Sequence, residues 1–133
     1  MGFVYIGTGK GKKAVYFTKS LDNGNTWTHP RDEKTGLLFR GGTFHEPPNY
    51  HCAPVPVLNK NGRLYRAFED CTPCHWGIGF QSLVISADET ADLLDASSWI
   101  MSNKLPYDPE WTPDEWGTLE RPGWLEGNVV EAP

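Results

Sequence analysis

Hydrophobic and polar residues alternate in short segments along most of this chain, and Gly, Pro, Asn and Asp separate the segments. Alternation predicts β-strands, because successive side chains of a strand point to opposite faces of the sheet. The predicted strands are residues 3–7, 14–18, 55–58, 64–68, 81–86 and 99–102. The glycine- and lysine-rich stretch 9–13 and the Asn61-Gly62 pair supply hairpin turns. We therefore predict an all-β fold of antiparallel strands.

Two segments depart from this pattern. Residues 88–95 carry acidic residues early and no β-branched run, and Ser86 or Asp88 can cap a first helical turn. We therefore predict one short helix near 88–95. The stretch 104–123 is rich in Pro and Trp and predicts a long exposed loop. Loops of this length in a compact domain are usually functional.

Composition excludes several classes of function. The 133 residues suffice for about one domain. Twelve Lys and Arg against 17 Asp and Glu give a net charge of −5 without a basic block, which argues against a nucleic-acid partner bound through its phosphates. No apolar run long enough for a membrane span and no signal peptide are visible in the sequence. The 14 Gly, 11 Pro and six Trp favour short strands and turns over helices.

The three cysteines are Cys52, Cys71 and Cys74, and His51 and His75 lie near them in the sequence. The Cys-x-x-Cys pair suggests either zinc ligands or a redox pair. A structural zinc site usually has a second spaced pair, and a redox pair usually lies in a βαβ unit. Neither accompanies this one, so we predict no metal site and no cofactor. The role of Cys71 and Cys74 stays open.

The most specific motif covers residues 20–27, Ser-Leu-Asp-Asn-Gly-Asn-Thr-Trp, which fits the pattern S-x-D-x-G-x-T-W at each fixed position. An Asp in such a tight turn accepts backbone N–H groups, and a Gly there adopts a positive φ. The residues after the Gly are expected to start a strand, with the indole packed over the hairpin. The fixed residues are Ser20, Asp22, Gly24, Thr26 and Trp27.

This motif is the Asp box, and the chain resembles bacterial exo-α-sialidase-like proteins, which are built on sialidase-type β-propellers. Further segments similar to that family are residues 50–57, 61–69, 92–99 and 124–131. The resemblance therefore covers nearly the whole chain. It implies blades of four antiparallel strands. Independently of it, the predicted inner strands near Phe3 and Ala53 are about 50 residues apart, and a four-stranded blade takes roughly 40–50 residues.

On this interpretation the chain holds a partial propeller of about two to three blades. Its parts are one blade at about 1–45, a second at about 50–103, the loop 104–123 and the start of a further blade at 124–133. Propellers close with four to eight blades. We therefore expect the chain to be an internal fragment of a longer protein, and not to be active alone.

The resemblance also implies a kind of active site. In sialidases three arginines bind the substrate carboxylate, an Asp acts as acid and base, and a Glu activates a nucleophilic Tyr. An unassisted Tyr, with a pKa near ~10, is a weak nucleophile at neutral pH. Glu126 matches that Glu, at the start of an expected strand 126–131. No match for the arginine triad, the acid–base Asp or the Tyr is recognisable in this sequence.

Further candidates for substrate binding are His51, Glu69, Asp70 and Trp124. Glu69 and Asp70 are adjacent at the end of a strand, so their side chains are expected on opposite faces. For His51 an ordinary hydrogen-bonding role is the alternative, and for Glu126 a solvated carboxylate at the rim.

The implied function is retaining hydrolysis of a terminal acidic sugar, with a sialoside-like carbohydrate as the partner. Most members of the family are secreted or periplasmic. The alternative is a non-catalytic propeller that binds glycan or protein, because Asp boxes stabilise blades of both kinds. Trp111, Trp116 and Trp124 would then offer flat faces to sugar rings, or would pack the loop that carries them.

Overall fold

The computed structural model consists of antiparallel sheets joined by turns and loops. It describes residues 2–9, 12–43, 45–117, 120 and 122–133, and for residues 2–9 and 12 it describes the backbone alone. The strands within these residues are β1 (Gly2–Gly9), β2 (Lys12–Lys19), β3 (Leu37–Phe39), β4 (Tyr50–His51), β5 (Leu58–Lys60), β6 (Arg63–Cys71), β7 (Phe80–Asp88) and β8 (Trp99–Met101). The all-β prediction is confirmed. Of the predicted turn at 9–13, Lys10 and Gly11 lie outside the described residues.

The first sheet has the strand order β1-β2-β3, and the second has the order β4-β6-β7-β8, with every neighbouring pair antiparallel. Both β4 and β5 pair with β6, where Tyr50 lies opposite Asp70 and Leu58 lies opposite Tyr65. These two short strands therefore act as one interrupted strand along β6. The second sheet is in effect a four-stranded meander.

The interruption between β4 and β5 corrects the predicted strand at 55–58, of which only Leu58 belongs to a strand. Pro54 and Pro56 have no N–H to donate to β6, so the ladder cannot continue through them. The predicted Asn-Gly hairpin between β5 and β6 is present. Asn61 and Gly62 have φ angles of 52° and 74°, which is the left-handed conformation that such a turn requires.

The short helix expected near 88–95 is wrong. Each of Asp88, Asp92 and Asp95 instead accepts the backbone N–H two residues further on, at 2.8, 3.1 and 3.0 Å. These side chains offer the backbone an alternative to helical hydrogen bonds, so the segment forms successive turns. The helical turn begins after them, as the 3-10 helix Ala96–Ser98 with Asp95 as its N-cap.

The hydrophobic core lies between the two sheets. Its buried members come from β2 and β3 on one side and from β4, β6, β7 and β8 on the other. They are Val15, Phe17, Leu38, Tyr50, Phe68, Leu83, Ile85, Ala87 and Trp99. One face of the second sheet is therefore buried against the first sheet.

The Asp box forms a hydrogen-bonded turn directly after β2. Asp22 accepts the N–H and the hydroxyl of Thr26 at 2.8 and 2.6 Å and the hydroxyl of Ser20 at 2.8 Å. These donors, that of Thr26 first, lower the pKa of Asp22 to about 2. Gly24 has a φ of 91°, and its carbonyl accepts the indole N–H of Trp27 at 3.0 Å.

The strand expected to start at Thr26 and Trp27 is not formed. Thr28 does lie beside β2, since its N–H donates to the carbonyl of Lys19 at 2.9 Å. The chain then turns, and the strand that pairs with β2 begins only at Leu37. Thr28 therefore makes one backbone hydrogen bond to β2, and one such bond is too few to form the expected strand.

Candidate functional site

Three of the predicted site residues lie at one end of the second sheet, where β4 begins and β6 ends. His51 is directly opposite Glu69, and Tyr50 is directly opposite Asp70. Directly opposed residues of antiparallel strands share a face, so His51 and Glu69 lie on one face. Asp70 lies with Tyr50 on the other, which is the core face.

Glu69 is a buried carboxyl group held by the chain near the C-terminal end of the sequence. Its Oε1 accepts the backbone N–H of Gly127 at 2.8 Å, and Gly127 also lies against Ser82, the residue opposite Glu69 on β7. Burial raises the pKa of Glu69, and the charge of Glu126 raises it further against the effect of the Gly127 hydrogen bond. Glu69 therefore favours its protonated form more than an ordinary glutamate does.

Glu126 is exposed and sits in a turn beside Glu69, with a φ of 58°. The strand expected at 126–131 is not formed, so Glu126 does not open a strand. A strand needs a partner that completes its ladder of backbone hydrogen bonds. Here the N–H of Gly127 donates to a carboxylate instead.

Asp70 is the centre of a polar network. It is buried and accepts the N–H of Asn49 at 2.7 Å, the hydroxyl of Thr72 at 2.8 Å and the ammonium of Lys104 at 2.6 Å. Burial by itself would raise its pKa, but Lys104 and the two hydrogen bonds lower the pKa below its ordinary value. Asp70 is therefore an ionised group occupied by three protein donors, which favours a structural role over contact with a ligand.

His51 is partly buried, and its ring meets the ring of Phe80 edge to face at 5.0 Å. Its Nε2 lies 3.1 Å from Asn49 Oδ1 and 3.4 Å from Lys13 Nζ. Burial, and then the charge of Lys13, lower the pKa of His51 to about 4. The imidazole is therefore neutral at neutral pH.

Trp124 belongs to the long loop between β8 and Glu126, where it packs with other aromatic residues. Its indole N–H donates to the carbonyl of Pro106 at 3.0 Å, and its ring lies 5.7 Å from that of Tyr107 and 5.9 Å from that of Trp111. These rings line a cavity of about 400 Å³, which we call the aromatic cavity. Its main lining residues are Tyr107, Trp111, Trp116, Glu120 and Trp124.

Cys71 and Cys74 interact with each other at the end of β6, beside a cavity of about 440 Å³ that His45 also lines. Cys71 is buried, and burial first, then its interaction with Cys74, raise its pKa to about 12. Such a thiol stays protonated at neutral pH. No group of three or more His, Cys, Asp and Glu suited to a metal ion occurs in the part of the chain that the structure describes.

Three of the described arginines contact different protein partners. Arg40 pairs with Glu33, and Arg63 donates to the hydroxyl of Ser86. The Arg66 guanidinium donates to the carbonyl of Ala53 at 3.0 Å. Arg31 is exposed, and position 121 lies outside the described residues.

Sequence analysis missed three polar residues of this region, Lys13, Asn49 and Lys104. Each approaches its partner from a segment distant in sequence or from a loop, and no motif surrounds any of them. Packing of the two sheets brings Lys13 of β2 to His51, and strand pairing brings Asn49 and Lys104 to Asp70.

Comparison with known proteins adds no relative: no family model matches the chain, and neither the curated proteins nor the solved structures contain a match. Among the residues that the structure describes, no helix is long and apolar enough to cross a membrane.

Glu69→Gln is expected to flatten the dependence of stability on pH. Gln can still accept the Gly127 N–H, but it carries no charge. Because the pKa of Glu69 is raised in the folded protein, its contribution to stability is greatest below its ordinary pKa of 4.5 and is lost as the pH rises through the folded value. The variant should therefore lose less stability than the wild type above pH 4.5.

Thermal melts between pH 4 and pH 8 measure this difference. Glu115→Gln, at an exposed position of the loop, is the matched control and should follow the wild type. Parallel curves for the wild type and Glu69→Gln would show that Glu69 is not a buried carboxyl with a raised pKa.

Proposed function

We propose that this chain contributes blades to a sialidase-type β-propeller, and that the propeller hydrolyses a terminal acidic sugar with retention of configuration. The Asp box supports the propeller, since its fixed residues make the hydrogen bonds that define such a turn. The second sheet supports it as well, because its strands follow one another as an antiparallel meander in the order that a four-stranded blade requires.

The two faces of the second sheet also fit a blade. One face packs on the first sheet through the shared core. On the other face Gly127 lies against Ala67, Glu69 and Ser82. A blade inside a propeller is covered by a neighbour on each face, and the segment after Trp124 covers part of this face.

The observation that carries the catalytic part of the proposal is the contact of Glu69 with the 126–127 turn. It places a buried carboxyl with a raised pKa beside a second, exposed carboxylate. In the sialidase-type reaction a carboxylate accepts the phenolic proton of a nucleophilic Tyr. We assign Glu126 the acceptor role, taking the phenolic proton of a nucleophilic Tyr, while Glu69 fixes the turn that carries Glu126.

Glu126→Gln is expected to lower kcat/KM on a fluorogenic sialoside about 10²- to 10⁴-fold, because the amide cannot accept the phenolic proton. The assay uses the product of the complete reading frame that encodes these residues. Glu131→Gln is the matched control. Glu131 lies in the same segment as Glu126, and it is an exposed carboxylate that pairs with Lys60 of β5.

Thermal melts of both variants establish that they fold. Wild-type activity in a folded Glu126→Gln protein would remove Glu126 from the reaction. Equal losses in both variants would point to disturbance of the segment and would contradict the specific role.

The second candidate function is a propeller that binds glycan or protein without hydrolysis. The observation that favours it is that Arg40, Arg63 and Arg66 each have a different protein partner. A complete reading-frame product that binds a sialoside but never releases the fluorophore would establish this alternative.

A further inference from the structure

The loop that carries the aromatic cavity starts and ends beside Glu69. At its start, Leu105 exchanges two backbone hydrogen bonds with Ser82, at 2.8 and 2.9 Å. At its end, Gly127 donates to the carboxylate of Glu69. Ser82 and Glu69 are directly opposite each other on β7 and β6. The loop therefore projects from one position of the sheet, next to the proposed reaction site.

The aromatic cavity presents large apolar faces to solvent. Trp111 is 55 % exposed and Trp116 is 64 % exposed, although both line the cavity. Trp124 is held in place by its hydrogen bond to Pro106 and by the ring of Tyr107. The volume of about 400 Å³ lies within the range of about 300–1,000 Å³ typical of small-ligand sites. An open cavity with a fixed aromatic wall suits a flat ligand that has apolar C–H faces.

The charge around the cavity restricts the ligand further. Residues 104–123 contain five carboxylates together with Lys104 and Arg121, and Glu120 is the charged residue among the described residues that line the cavity. A ligand that donates hydrogen bonds to a carboxylate is therefore favoured there. A neutral sugar ring has C–H faces that stack on indoles and hydroxyl groups that donate to carboxylates.

We propose that the aromatic cavity is a subsite for a neutral pyranose ring, on the leaving-group side of the bond cleaved near Glu126. This assignment of the leaving group rests on the proposed function. The acidic sugar would occupy the site beside Glu126, and the neutral sugar linked to it would stack on Trp111 and Trp116. Binding of the neutral sugar by itself follows from the cavity alone.

The first experiment titrates the full chain with lactose, a neutral disaccharide, and follows tryptophan fluorescence and chemical shifts. Trp111→Ala and Trp116→Ala are each expected to weaken lactose binding about three- to tenfold, and the double variant to abolish it. Trp76→Ala is the matched control, because Trp76 is 58 % exposed but packs on Phe80, outside the cavity. It should bind lactose like the wild type.

Three results would overturn the proposal. They are unchanged lactose binding in the double variant, tighter binding of free N-acetylneuraminic acid than of lactose at this cavity, and binding of choline in place of lactose. Choline is included because aromatic rings beside a carboxylate also suit a quaternary ammonium group.

A second experiment separates this inference from the proposed function. Trp116→Ala in the complete reading-frame product should raise KM for sialyllactose and leave KM for a sialoside of a small alcohol unchanged. Equal effects on the two substrates would overturn the leaving-group assignment. If Glu126→Gln leaves activity intact while Trp111→Ala and Trp116→Ala still weaken lactose binding, the proposed reaction is wrong and the neutral-sugar site is supported.

Discussion

Replacement of Phe68 by Ala is expected to lower the free energy of unfolding by about 3–5 kcal/mol. Phe68 is fully buried, lies directly opposite Leu83 on β7 and belongs to the core between the two sheets. Removal of its ring takes away contacts that join both sheets and leaves a cavity that rigid strands cannot close. Urea unfolding followed by tryptophan fluorescence measures the loss as a shift of the midpoint.

The control for Phe68 is Leu21→Ala, another large-to-small change. Leu21 is 88 % exposed in the Asp box turn, so its replacement should change stability by no more than about 0.5 kcal/mol. Similar midpoints for the two variants would contradict a core formed between the sheets.

The second large effect is expected for Asp70→Asn, at about 2–4 kcal/mol. Loss of one partner of a buried ion pair costs about 3–5 kcal/mol, and the partial exposure of Lys104, 32 % for its side chain, reduces that cost. The amide keeps the volume of Asp70 but not the charge that holds Lys104. Its oxygen can still accept the donors of Asn49 and Thr72, which both contact Oδ1, but its N–H₂ group then faces the ammonium of Lys104, which contacts Oδ2.

A double-mutant cycle isolates the ion pair. If the pair causes the loss, Asp70→Asn combined with Lys104→Met should be less destabilised than the sum of the two single variants. Additive losses would show that the hydrogen bonds from Asn49 and Thr72 dominate instead. Asp114→Asn, at an exposed carboxylate, is the control for the substitution itself.

The acid dependence of stability gives an independent check on Asp70. Its pKa is lowered in the folded protein, so its contribution is fully present above the ordinary pKa of an aspartate and is lost as the pH falls through the folded value. Asp70→Asn should therefore remove part of the wild-type loss of stability below about pH 4. If Asp70→Asn and the wild type lose the same stability below about pH 4, Asp70 is not held ionised by its partners.

The strands and turns most visible in the sequence are those that local chemistry determines. Alternation along β6 and β7, and the Asn61-Gly62 pair before β6, predict the central hairpin of the second sheet. The Asp box predicts its own turn, because its donors and acceptors lie within a few residues of one another. The helix at 88–95 fails for a local reason too, since aspartate side chains compete for the N–H groups that a helix would use.

The partners at the candidate site depend on contacts distant in sequence. Lys104 reaches Asp70 only because Leu105 pairs with Ser82, and Gly127 reaches Glu69 across 58 residues. Periodicity and motifs carry no information on such pairings. The sequence therefore indicated Glu69, Asp70 and Glu126 as candidates, but not that Asp70 is occupied by protein donors.

The loop between Leu105 and Gly127 is attached to the sheet at a single cross-strand position, and this affects how the region can change in evolution. The loop leaves the sheet at Leu105 and returns at Gly127, next to the same Ser82–Glu69 pair. Closing a longer loop between fixed ends costs little extra entropy. Insertions or replacements between these anchors would leave the ladder of β6 and β7 and the core unchanged. Ligand preference can thus diversify by exchange of one loop while the scaffold is inherited intact.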